Sequence, residues 1–340
     1  MIPHLAITMG DPAGIGAEII IKACERLKNR LINNSLRLLL IGSNLSLQTS
    51  CATLGKSLNI PEVKETDDNW PALAILHVGL KETIIYPGIL SIDGGHFSYL
   101  AVEMAVKLAL SGRIHGIVTA PLNKEVLNKA GYHFTGHTDM LAYLTGTRDS
   151  VMMLICDNMR VAHVTTHVAI QDVSAQITLK RLRYVIDITN QTLIELGLPR
   201  RRIAVASLNP HSGEGGLFGC QDIKVSSPVI ANCTKDGLDV SGPISGDVVF
   251  VKLRAGLYDA VIAMYHDQGH IPFKLLSFNI DSATKTKIRG VNITLGLPIV
   301  RTSVDHGTAF DIAGKGIADE TSLIEAIEYA EVLARARNII

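Results

Sequence analysis

Three histidines follow short apolar runs in the same manner. His167 ends Val161-Ala162-His163-Val164-Thr165-Thr166-His167; His211 follows the run 203–206 in Asn209-Pro210-His211-Ser212-Gly213-Glu214-Gly215-Gly216; His266 follows the run 260–264 in Tyr265-His266-Asp267-Gln268-Gly269. Imidazole is the commonest metal ligand, and strand ends are where open α/β sheets place ligands. Three nitrogen donors with an open position are the catalytic pattern for a zinc-type ion. A lone histidine in such a loop is most often just hydrogen-bonded, and the wide sequence separation supplies no short metal motif. Three at equivalent places shift the balance toward one shared cation. His163 is read differently: in a strand, four residues from His167 means the same face but about 13 Å apart, which suits a core or wall residue. Asp267 beside His266, and Asp247 in Ser245-Gly246-Asp247, are carboxylates that could orient an imidazole or take a proton; solvated loop acids are an equal reading.

A second group suits anions. His137 and Thr138 lie in Phe134-Thr135-Gly136-His137-Thr138-Asp139, Lys274 in Ile271-Pro272-Phe273-Lys274, Asn292 in Gly290-Val291-Asn292-Ile293-Thr294, and Arg301 in Ile299-Val300-Arg301-Thr302-Ser303. These cations sit among Gly, Pro and apolar residues rather than in charged helices, and a guanidinium at a strand end suits phosphate or carboxylate. The loop Met9-Gly10-Asp11-Pro12-Ala13-Gly14-Ile15-Gly16 joins an expected strand to an expected helix, so Gly10, Asp11, Gly14 and Gly16 are candidate cofactor contacts. Its spacing is neither G-x-G-x-x-G nor a P-loop. A tight turn with no ligand weighs equally.

The elements that must position these residues are legible from periodicity. Apolar runs over 5–9, 36–41, 73–78, 116–119, 151–155, 161–165, 203–206 and 260–264 predict strands; patterns over 17–31, 99–110, 178–196 and 322–337 predict helices. Near-continuous apolar strands separated by helices describe an α/β fold with sheets buried on both faces. The tight Asp157-Asn158-Met159 turn predicts an antiparallel pair. No repeat or linker separates the halves, and polar, Gly-rich stretches at 132–138 and 285–290 are candidate crossover points.

The chain has 340 residues, 47% hydrophobic and 19% charged, enough for about two domains. Thirty-two Lys and Arg balance 32 Asp and Glu, so no global field exists to hold nucleic acid or an anionic membrane. Five cysteines, Cys24, Cys51, Cys156, Cys220 and Cys233, form no C-x-x-C pair, which fits a reducing compartment. Residues 1–12 show no signal-peptide pattern, and no apolar run reaches about 20 residues, so a soluble cytoplasmic protein is expected.

Residues 9–16, Thr119-Ala120-Pro121-Leu122-Asn123-Lys124, and stretches 135–139, 208–216, 263–269 and 290–308 together resemble the 4-hydroxythreonine-4-phosphate dehydrogenase family, over about residues 5 to 330. The resemblance implies an isocitrate/isopropylmalate dehydrogenase-like fold: two α/β/α-layered domains, 1–135 plus 295–340 and 136–294, with a cleft between them. It implies a homodimer with a shared active site, a divalent ion (Zn2+, Mg2+ or Co2+) on His167, His211 and His266 with one ligand from the partner subunit, and NAD or NADP. By the same resemblance His137, Thr138, Lys274, Asn292 and Arg301 bind substrate, and Lys274, Asp247 and Asp267 are candidates for proton transfer. The stretch 275–289 is longer than in the vitamin B6 branch, and Asp93-Gly94-Gly95-His96-Phe97 replaces that branch's wording. Both look like the branch acting on D-threonate or D-erythronate 4-phosphate. The expected reaction is oxidative decarboxylation of a phosphorylated 3-hydroxy acid to dihydroxyacetone phosphate. The B6-biosynthetic dehydrogenase is the alternative; a cis-dihydrodiol carboxylate dehydrogenase, a metal-dependent lyase without NAD and a non-catalytic sugar-phosphate binder stand behind it.

Overall fold

The computed structural model describes residues 2–280 and 286–339. It divides into two compact units, one running to Ser150 and resuming at Leu297, the other Val151–Gly296.

The first unit contains β1 (His4–Thr8), α1 (Gly16–Arg26), α2 (Lys28–Ile32), β2 (Arg37–Gly42), α3 (Asn44–Thr53), β3 (Glu62–Val63), β4 (Leu73–His77), α4 (Ile92–Leu110), β5 (Gly116–Thr119), α5 (Lys124–Lys129) and α6 (His137–Thr145), then β14 (Arg301–Val304) and α12 (Thr321–Ala336). Its strands run parallel in the order β3-β4-β2-β1-β5-β14. Every residue of β1, β5 and β14 is buried, because helices cover both faces. The carboxyl ends of β5 and β14 therefore open at one edge of the sheet.

The second unit contains β6 (Val151–Cys156), β7 (Met159–His163), α7 (Ile170–Gln176), α8 (Leu179–Glu195), β8 (Ile203–Ala206), α9 (Ser227–Lys235), β9 (Val240–Ile244), α10 (Gly246–Arg254), β10 (Ala260–Ala263), α11 (His266–Ser277), the hairpin β11 (Phe278–Ile280) and β12 (Thr286–Ile288), and β13 (Val291–Leu295). Its order is β13-β6-β7-β10-β8-β9. The expected antiparallel β6–β7 pair is present, with Leu154 opposite Val161, and β13 also pairs antiparallel with β6. From β7 through β10, β8 and β9 the pairing is parallel. Within the stretch 275–289, residues 281–285 lie outside the described residues.

The α/β reading holds, with local corrections. The strand expected to reach His167 stops at His163, so the two histidines do not share a strand. Arg301 opens β14 instead of following a strand. The helix expected over 17–31 breaks at Leu27, and the one expected from 99 begins at Ile92. Gly94 and Gly95 at the start of this helix are there for close approach: a Cβ on Gly94 would stand 2.6 Å from Asp11 Oδ1, and one on Gly95 2.3 Å from the Val126 carbonyl oxygen. Gly95→Ala is expected to lower stability by about 2 kcal/mol, because a helix-propensity gain near 1 kcal/mol is outweighed by a clash with backbone that cannot retreat. Urea unfolding would show it, and an unchanged midpoint would refute the packing argument. No helix among the described residues is long and apolar enough to cross a membrane.

Candidate functional site

In the first unit, the edge where β5 and β14 end carries a cavity of about 200 Å³, lined among others by Thr119, Lys124, Gly136, His137, Ser303 and His306. The sequence placed His137, Thr138 and Arg301 as anion-binding residues, and all three belong to this unit. His137 and Thr138 are the first residues of α6, whose N-terminal dipole favours an anion. Arg301 is 2% exposed and donates from Nη2 to Thr119 Oγ1, a cavity-lining hydroxyl, at 2.7 Å. Burial pulls the Arg301 guanidinium down to about 9. Burial, then the charges of Arg301 and Lys124, hold the His137 imidazole well below its ordinary value, so it is neutral. Its buried Nε2 has no hydrogen-bond partner among the described residues. A neutral histidine, a lysine, a helix N-terminus and a desolvated guanidinium behind Thr119 are the chemistry that suits an anion. Thr119, Lys124, Ser303 and His306 were not among the sequence candidates; Lys124 lay in a quoted motif, and Asn123 caps α5 through hydrogen bonds from Glu125 N and Val126 N, which places it.

In the second unit, the loops after β8, β9 and β10 surround a cavity of about 700 Å³ lined by His211, Asp247 and Asp267, among others. A neighbouring cavity of about 430 Å³, lined by His167, His266 and Asp267, shares Tyr265 and Asp267 with it. The His167 and His266 rings lie 5.8 Å apart, tilted by 40°. An ion about 2.1 Å from each nitrogen sits about 3.2 Å from each ring centre, so centres within about 6.4 Å can share it. His167 and His266 therefore fit as a pair of ligands; among the described residues of one chain no three candidate side chains converge on a single ion. His266 Nδ1 lies 2.7 Å from Asp267 Oδ1, which leaves Nε2 as the donor. His163, at the end of β7, is fully buried.

His211 stands in an uncommon backbone. Residues 211–216 all have positive φ, including the non-glycine His211 (52°), Ser212 (54°) and Glu214 (43°). Such strain persists only where surroundings impose it. Here Asp222, fully buried, accepts from Leu208 N, Asn209 N and Asn209 Nδ2, and Ser212 Oγ donates to the Pro243 carbonyl. Gln268 ties two strand ends together: Oε1 accepts from Met264 N after β10, and Nε2 donates to the Ser207 carbonyl after β8. Sequence reasoning missed both braces, since their partners are distant or polar loop backbone.

The remaining candidates stand apart from these pairs. Asp247 is exposed, and the Ser245 hydroxyl holds its carboxyl below the usual range. Lys274 lies in the last turn of α11 with Nζ 4.9 Å from the Phe278 ring centre. Asn292 is in β13 opposite Leu154.

The Gly10–Gly16 loop is buried throughout. Gly10 (φ 69°) and Gly16 would each place a Cβ 2.0 Å from a carbonyl oxygen, of Pro121 and Met9 respectively, and Gly14 2.9 Å from that of Thr308. Packing thus accounts for each glycine without a ligand. Asp11 Oδ1 accepts from Ala13 N at 2.9 Å, while Oδ2 has no partner among the described residues; burial pushes this carboxyl up to about 6. A folded-state pKa raised above the unfolded one means stability present below about pH 4 and lost as pH rises through about 6. Relative to Asp11→Asn, the wild type should lose up to about 3 kcal/mol between pH 4 and 7.5. Parallel pH profiles of the urea midpoint in the two proteins would refute this.

Comparison with known proteins matches residues 34–330 to the model of pyridoxal phosphate biosynthetic protein PdxA. A Bradyrhizobium diazoefficiens protein provisionally assigned as a D-threonate 4-phosphate dehydrogenase is 63% identical over 97% of this chain and 96% of its own. A 4-hydroxythreonine-4-phosphate dehydrogenase of Beijerinckia indica is 42% identical over 97% of this chain and 95% of its own. The crystal structure of a 4-hydroxythreonine-4-phosphate dehydrogenase from Klebsiella pneumoniae superposes with a TM-score of 0.79 at 38% identity, covering 98% of each chain. Matched in sequence and in α/β fold along nearly its whole length, the chain belongs to the PdxA family of dehydrogenases acting on the CH–OH group of phosphorylated hydroxy acids.

Proposed function

We propose that the protein oxidises and decarboxylates D-threonate 4-phosphate or D-erythronate 4-phosphate, with NAD or NADP as acceptor, giving dihydroxyacetone phosphate and carbon dioxide. The anion cavity beside Arg301 and His137 carries this reading: it offers a phosphate a helix N-terminus, a lysine and a hydroxyl backed by a desolvated guanidinium. The greater identity to the protein assigned to D-threonate 4-phosphate favours that substrate over 4-hydroxythreonine 4-phosphate.

In this reading Arg301, His137 and Thr138 hold the phosphate, and Lys274 and Asn292 bind the rest of the substrate. His167, His211 and His266 hold a divalent cation, with a second copy of the chain completing the set. When bound, the cation would supply Lewis acidity to the substrate hydroxyl and the nicotinamide would supply the hydride acceptor for oxidation at C3. The product of that oxidation is a β-keto acid, which loses carbon dioxide and takes one proton at C2. Asp267 keeps His266 in the tautomer whose Nε2 lone pair faces a cation, and Asp247, Asp267 and Lys274 are this reading's candidates for moving protons.

Purified protein supplied with divalent metal and NAD is expected to form reduced cofactor, with the highest kcat/KM for D-threonate or D-erythronate 4-phosphate. A higher value for 4-hydroxythreonine 4-phosphate would move the protein to the B6 branch. Turnover that continues undiminished without NAD or NADP would remove the dehydrogenase reading altogether.

A further inference from the structure

Behind the His167–His266 pair a file of imidazoles runs into the second unit. His270 stacks on His266 with ring centres 3.6 Å apart and planes within 11°, and His163 lies 4.8 Å beyond His270. Parallel rings at that spacing aim their nitrogens along parallel planes, so His270 cannot share an ion with His266. Its place is instead structural to the ligand. His270 is one helical turn from His266 on α11, is 9% exposed, and its Nδ1 donates to the His266 carbonyl at 3.0 Å. His163 backs it, with Nδ1 3.4 Å from the Met152 carbonyl, and Gly269 leaves the necessary room: a Cβ there would stand 2.3 Å from His163 Nε2.

The His266 ring thus has two constraints. The Asp267 carboxylate is 68% exposed and competes with water, so its hold on the ring is weak. The stacked face of His270 is buried and braced from behind. We infer that His270 is a positioning residue: its flat ring fixes the plane of His266 and so the direction in which Nε2 is offered to a cation. This rests on the reading of His266 as a metal ligand.

Two substitutions separate the stacked ring from mere filling of space. His270→Phe keeps a flat ring and His270→Leu keeps bulk without one, while both lose the Nδ1 donor. Full-length protein would be titrated with Co2+, following calorimetric Kd and the visible absorption of the bound ion, with metal-free melting temperature as the folding control. His270→Leu is expected to weaken Co2+ binding at least about tenfold and to alter the absorption band, with His270→Phe within about threefold of wild type. Equal Kd values and spectra for Leu and Phe would overturn the inference. A His266→Ala control that binds Co2+ as wild type does would instead overturn the ligand assignment, and the inference with it.

Discussion

Arg301→Met is expected to lower kcat/KM for the phosphorylated substrate about a thousandfold, ~4 kcal/mol, while the melting temperature holds or rises. The two effects share one cause. The folded chain disfavours the guanidinium charge, its pKa drawn down to about 9 by burial, because Arg301 is almost wholly removed from water; its Nη2 donates to the Thr119 hydroxyl. An apolar side chain of similar length removes that desolvation cost, and such replacements of buried charge are often neutral or stabilising. A bound phosphate reverses the balance: it supplies the opposite charge in a site that water does not screen, so the same desolvation that burdens the free protein strengthens the complex. The loss should fall mainly on KM if the contact is uniform through the reaction. A variant of near wild-type kcat/KM would show that the phosphate lies elsewhere, and a variant that fails to fold would show that Arg301 is structural.

That division between what the sequence displays and what it conceals recurs through the molecule. Most of the buried strands were legible because both faces are covered, which forces continuous apolar runs such as Leu38 to Ile41 and Val151 to Ile155, whereas β13 and β14 were missed because Asn292, Thr294, Arg301, Thr302 and Ser303 break the run. Edge strands escaped detection: β3 has two residues, and β9 contains Gly242-Pro243, which reads as a turn but is tolerated at an edge with a bulge opposite Ala204 and Ala206. Helix α11 was hidden by Gly269 and Pro272, and with it the i,i+4 relation of His266 and His270 that would have marked the stack. Residue type and position at strand ends were enough to single out His167 and His266, whose ring centres lie 5.8 Å apart. The braces were beyond reach because they join segments far apart in sequence: Gln268 to Ser207 is 61 residues, and Thr119 to Arg301 is 182.

His167→Ala is expected to reduce kcat at least about a thousandfold and to remove tight Co2+ binding, leaving phosphate binding in the first unit little changed. Chelation of the wild type should have the same effect, reversed by Zn2+, Mg2+ or Co2+. The size follows from the chemistry demanded: loss of the C3 hydroxyl proton before hydride transfer and loss of carbon dioxide afterwards both put negative charge on one oxygen, and in the proposed reading His167, exposed beside His266, would hold the cation that offsets it. The proposed reading has a second copy of the chain complete the set, and this gives the experiment a further arm. Variants His167→Ala, His211→Ala and His266→Ala, each inactive alone, would be mixed in pairs under conditions that exchange subunits. A pair whose histidines serve one site from different subunits regenerates one intact site in each mixed dimer, about a quarter of wild-type activity at equal mixing. A pair supplied by one subunit regenerates none. Recovery in no pair would place all three ligands on a single chain, and full activity in chelated enzyme would dismiss the cation.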